Sequence, residues 1–155
     1  MHKGFADLKS PADILDKMKH DLVRMENDPM DTYAAFDFFV TAEHIVDWIH
    51  PDTPEKQEWK KRKRIRTGNP LLSLVSHIAN GIKHFIALNP NHQSVETIEK
   101  NEGGFDYNAF DTNAFDISAF KISGLVVETK KGKLEHVNDI AKRVMEYWEN
   151  ELKNP

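Results

Sequence analysis

Residues 70–88, PLLSLVSHIANGIKHFIAL, carry two kinds of side chain on one helical repeat. Beside an apolar face, Ser73, His77, Asn80 and His84 fall within an arc of roughly 60° at about 100° per residue. Two imidazoles two turns apart, with an amide between them, can move protons, bind a metal or fill a polar seam between helices. A second stripe lies in the apolar segment 31–50, where Asp37, Thr41 and His44 fall within about 60° of one another. Glu43 and Asp47 add a pair at i and i+4. Burying a carboxylate or imidazole without a partner is costly. If the two stripes face each other, both are satisfied, and an aspartate and up to three imidazoles share one site.

Three chemistries fit these residues. In the first, Asp37 and Glu43 hydrogen-bond His77, His84 or helix termini and the stripes are a structural seam. In the second, His44, His77, His84 and a carboxylate hold a divalent ion. The i, i+7 spacing of His77 and His84 separates their α-carbons by roughly 10 Å along the axis, so no metal or other cofactor is expected.

The third rests on the segment Ala79-Asn80-Gly81-Ile82-Lys83-His84. Asparagine, three residues, then histidine in a bundle helix resembles the HEPN superfamily, helical bundles that include RNA-cleaving toxins and defence proteins. Their motif has an arginine, often followed by a polar residue, with a histidine about five positions after the arginine. Asn80 and His84 take the last two places, and Ala79 stands where the arginine does. The resemblance implies a histidine for proton transfer and an arginine for phosphate charge. Without that arginine it implies a non-catalytic member, or one that takes a cation from Lys83 or elsewhere.

Lys60, Lys61, Arg62, Lys63, Arg64 and Arg66 place six cations in seven residues, with Trp59 at the edge. Such a run contacts phosphates, with an aromatic ready to stack, or is a solvated helix face, or meets an acidic protein. The remaining chain has 15 cations against 25 acids, so positive charge is concentrated there.

The elements that position these groups are readable from caps and periodicity. Ser10-Pro11 with Asp13 starts a helix that carries Ile14, Leu15, Met18, Leu22 and Met25 inward and stops near Asn27-Asp28-Pro29. The second, about 31–50, is apolar on nearly every side and belongs in the centre of a bundle. Residues 55–66 predict a short exposed helix and 70–88 a fourth, with a polar stretch to about Glu102 that favours no element. Residues 105–124 hold a five-residue repeat, expected as a belt of turns anchored by Phe105, Phe110, Phe115 and Phe120. Residues 125–137 read as a β-hairpin turning at Lys131-Gly132, and Asn138 as the cap of a last helix.

At 155 residues with 39% apolar and 30% charged side chains, this predicts one domain over 1–155. It is expected to be an all-α, four- to five-helix bundle with a small β-hairpin. A net charge of −4 gives no global attraction to nucleic acid or acidic membranes. The absence of cysteine, of an apolar leader core and of any spanning run predicts a soluble, cytoplasmic protein. The function expected is a binding or accessory module that contacts RNA or an acidic partner through Trp59 and the cations of 60–66. The alternatives are a ribonuclease or metal-assisted hydrolase using His84, Asn80, His77, His44 and Asp37, and a structural subunit whose aromatic-rich hairpin and repeat form a homo-oligomer interface.

Overall fold

Helix α1, Pro11–Asn27, begins where its capping chemistry requires. Ser10 Oγ accepts from the Asp13 backbone N–H at 3.3 Å, and the Asp13 carboxylate accepts from the N–H groups of Lys9 (2.8 Å) and Ser10 (2.7 Å). Those bonds, the Lys9 amide first, hold the Asp13 carboxyl below its usual range. The computed structural model describes residues 4–83, 94–102, 104–105, 120–121 and 123–153.

Helix α2, Thr32–Ile49, is capped by Asp31, whose side chain accepts from Ala34 N at 2.9 Å. Its buried face holds Phe38, Phe39, Ile45 and Val46, with Ala34, Ala35 and Ala42 admitting close neighbours. The rings of Phe38 and Phe39 meet edge to face, 5.3 Å between centroids. All-round burial is not what α2 shows: Tyr33 and Phe36 are exposed, so one side of the helix faces out.

Helix α3, Trp59–Gly68, starts four residues later than the charge pattern suggests. The preceding stretch is taken by a turn in which Glu58 N donates to Asp52 Oδ1 (2.6 Å) and Lys56 N to Thr53 Oγ1 (3.1 Å). Helix α4, Pro70–Lys83, has proline in its first turn and Asn69 Oδ1 accepting from Leu71 N at 2.9 Å. It buries Leu72, Val75, Ser76, Ile78 and Ala79. The rest of the expected 70–88 helix lies outside the described residues.

Strands β1 (Val95–Asn101), β4 (Gly124–Thr129) and β5 (Leu134–His136) form an antiparallel sheet in the order β1-β4-β5. Strands β4 and β5 are the expected hairpin, with Gly132 at φ +75° in the turn. Strand β1 lies in the stretch that favoured no element. It pairs from Val95 opposite Thr129 to Asn101 opposite Gly124, with a bulge near its start. One face of β4 presents Leu125 and Val127 to the helices. The backbones at Gly104–Phe105 (β2) and Phe120–Lys121 (β3) pair antiparallel. The remainder of the Phe repeat, with Phe110 and Phe115, lies outside the described residues.

Helix α5, Val137–Lys153, follows β5 directly and buries Ile140, Ala141, Val144, Met145 and Trp148. Asn138 does not cap it. The helix starts at Val137, two residues before a cap at Asn138 would allow, and Asn138 Nδ2 instead donates to Met25 O at 2.8 Å, tying the start of α5 to the last turn of α1. The described fold is thus mainly helical, five helices with a three-stranded sheet toward the C-terminal half. Among the described residues no helix is long and apolar enough to cross a membrane.

At Gly124, φ is +152° and Leu125 N donates to Pro29 O at 3.1 Å, so the α1–α2 turn docks on the start of β4. A Cβ at Gly124 would meet Pro29 Cβ at 3.4 Å in a backbone conformation that side-chain-bearing residues resist. Gly124→Ala is expected to cost about 1–3 kcal/mol, read as a lower urea midpoint at unchanged slope.

Candidate functional site

The polar groups of α2 divide into two sets on opposite sides of its buried face, roughly 110° apart around the axis. Asp37, Thr41 and His44 lie on the α1 side or in water. Asp37 accepts from Arg24 Nη1 of α1 at 2.9 Å. Thr41 Oγ1 donates to Asp37 O of its own helix at 2.7 Å, and His44 is exposed, with Nδ1 3.3 Å from Asp47. Among the described residues, none of these three bonds Ser73, His77 or Asn80 of the α4 stripe. The large apolar side chains of α2 occupy the centre of the face and push its polar neighbours to both flanks.

On the other flank, Ser76 of α4 donates from Oγ to Glu43 Oε2 at 2.6 Å. Ser76 stands one residue before His77, on the buried side of α4 rather than on the predicted stripe. Two cations of α3 complete this cluster. Arg66 Nε lies 2.7 Å from Glu43 Oε1, an ion contact without the alignment of a hydrogen bond. Its Nη2 donates to Asp47 Oδ2 and to Glu43 O, both at 2.9 Å. Arg62 Nε is 2.9 Å from Asp47 Oδ1, and its two Nη groups form a fork on Asp52 at 2.9 and 3.0 Å. Arg62 Nη1 also donates to His50 O, at the C-terminal end of α2, at 2.8 Å.

Electrostatics follow burial and pairing. Removal from water pushes the Glu43 carboxyl above its usual range, against the Ser76 hydroxyl and the Arg66 charge. Burial also opposes ionisation of Asp47, but the bond to His44 and the charges of Arg66 and Arg62 hold it below the usual range. The hydrogen bond to Asp47, then the negative charges of Asp47 and Glu43, raise His44, with burial and Arg66 opposing.

Arg62 and Arg66 lie one turn apart, with Ile65 between them against the core, and together they make the inner side of α3. Lys60, Lys63 and Arg64 fall within about 100° of one another on the opposite side, with Lys61 at its margin. All four are exposed, and none has an ion pair among the described residues. Trp59 is 49% exposed, with Lys60 Nζ 5.5 Å from the centre of its ring. The six-cation run is therefore two structural arginines and a four-cation outer face.

Of the predicted α4 site, His77 engages Ser94 Oγ through Nδ1, and Asn80 Nδ2 donates to Ser76 O at 2.7 Å. His84 lies outside the described residues. His77 borders a cleft of about 630 Å³ between α2, α4 and the sheet, with Phe36 and Ile82 at its apolar side and Lys100 and Lys130 among its polar lining. Ala79 is 6% exposed on the core side of α4, where an arginine would have to displace packed side chains. Among the described residues no cluster of three or more His, Asp or Glu could hold a metal ion. No family model matches the chain, and no curated protein or solved structure matches it either.

Arg66→Ala would take the guanidinium partner from Glu43 and leave it the Ser76 hydroxyl and the more distant His44. Each partner of the Glu43–Arg66 pair keeps 19% exposure, so the expected loss is about 2–3 kcal/mol, below that of a fully buried pair. Combining it with Glu43→Gln should cost less than the sum of the two, in a double-mutant cycle read by urea unfolding. Strict additivity would show the pair to be uncoupled.

His44 has a folded pKa above its unfolded value. Its stabilising contribution is therefore complete below about pH 6.5 and lost as pH rises through the folded value. His44→Gln should be less stable than wild type at about pH 6 and indistinguishable from it at about pH 8.5. Thermal melts at the two pH values test this, and an equal deficit at both would refute it.

Proposed function

We propose that this chain is an RNA-binding or accessory module and that its contact surface is the outer face of α3. The observation that carries the reading is the division of the basic run. Arg62 and Arg66 anchor the helix to α2, and Lys60, Lys61, Lys63 and Arg64 are exposed and form no ion pair among the described residues.

That arrangement is unfavourable by itself. Like charges at i, i+3 and i, i+4 repel, and Lys60 and Lys61 oppose the positive end of the helix dipole. A polyanion would relieve both effects, and releasing its counterions would add a salt-dependent drive. The mainly helical layout and the Asn80/Ala79 arrangement support a non-catalytic HEPN-like module. Outside 60–66 the chain has 15 cations against 25 acids, which favours this face for contact with RNA. We place its work in the cytoplasm, in keeping with the lack of cysteine.

Binding of a generic RNA, followed by gel mobility over a salt series, tests the reading. Four phosphate contacts give a slope of log K against log salt of about −3, and replacing Lys60, Lys63 and Arg64 by alanine should reduce it to about −1. No binding by wild type at low salt would overturn the reading. Retention on an acidic polypeptide in that case would point to a protein partner instead.

A further inference from the structure

We infer that the nucleic acid taken by α3 is single-stranded, with one base stacked on the Trp59 indole and the neighbouring phosphates on Lys60, Lys63 and Arg64. The inference rests on the RNA reading above and adds the class of strand.

Trp59 is the first residue of a helix that buries none of its side chains, and about half of its surface is in water. Exposure alone would not mark it, since Tyr33 and Phe5 are more exposed; what sets Trp59 apart is an indole that adjoins the cations of the outer face. Its position is prearranged. The Asp52–Glu58 turn leads directly into it, held by the bond from Glu58 N to Asp52 Oδ1, and Arg62 clamps the same Asp52 from one turn further along α3. A platform fixed in this way loses little freedom when a base settles on it.

The cation spacing favours a strand over a duplex. Lys60 and Arg64 are one turn apart, about 6 Å along the axis, comparable to the step between successive phosphates of an extended strand. Lys60 Nζ lies over one face of the indole, 5.5 Å from its centre, so a base would stack on the ring surface that Lys60 leaves open, next to the first phosphate-binding cation. A base-paired helix keeps its bases stacked on one another and offers no face to Trp59. The major groove of duplex RNA is too deep and narrow for side chains to read. On a duplex Trp59 would be idle, whereas on a single strand it joins an aromatic platform to a cationic track.

The test compares three probes at low salt: a 12-nucleotide uridine oligomer, an RNA duplex of equal length, and inorganic polyphosphate, which has charge without bases. Wild type should bind the oligomer most tightly and quench its tryptophan fluorescence on doing so. Trp59→Ala should weaken the oligomer by about 5- to 150-fold and leave duplex and polyphosphate unchanged, while Trp59→Phe keeps most of the affinity. Equal binding of oligomer and duplex, with Trp59→Ala indistinguishable from wild type, would overturn the single-strand inference and leave the α3 reading standing. Failure of wild type to bind any of the three would overturn both.

Discussion

Two carboxylates on the central helix set the terms for one whole side of this molecule. Glu43 and Asp47 project from α2 next to Phe39 and Val46, where the interior begins. A half-buried carboxylate is tolerated only with partners in place. Those partners come from α3, a helix that could not hold itself. It has no buried residue, no side-chain cap and a row of repelling cations. Arg62 and Arg66 satisfy the acids of α2, and the same contacts give α3 its docking site. The bond from Arg62 to His50 O closes the end of α2, and its fork on Asp52 orders the turn between the two helices.

The same ion pairs divide the labour of the basic run. Cations one helical turn apart at 62 and 66 are consumed internally, and those offset by half a turn have no ion pair among the described residues. Six charges in sequence thus act as four in space. A patch with its anchor built into the same ten residues presents those four charges on a rigid surface. The α4 residues that first suggest catalysis have a different setting: His77 meets Ser94, and Asn80 meets its own helix.

Much of the fold can be read directly from the chain. The Ser10/Asp13 helix start, the break near Pro29 and the hairpin around Gly132 involve residues within a few positions of each other. Strand β1 is not legible, because an edge strand with most of its side chains in water shows no alternation of apolar and polar positions. The site illustrates the same limit. Angular position alone put Asp37, Thr41 and His44 on one stripe but did not say which neighbour that stripe would face. The matched i, i+4 pairs 43/47 and 62/66, opposite in sign across a short connection, were a signal for the true contact. Ser76 had no such signal, since its importance comes from a carboxylate 33 positions away.

The bond from Asn138 to Met25 O spans 113 positions and marks where the last helix packs on the first. During synthesis, α2 and its pair of phenylalanines are finished about 100 residues before the end of α5 emerges. At ordinary translation speeds that interval is about 5–20 s. Throughout it, part of the central apolar face has no cover of its own. Apolar surface left open for that long favours misassociation, so the order in which the chain is delivered matters to its folding as well as the stability of the finished fold.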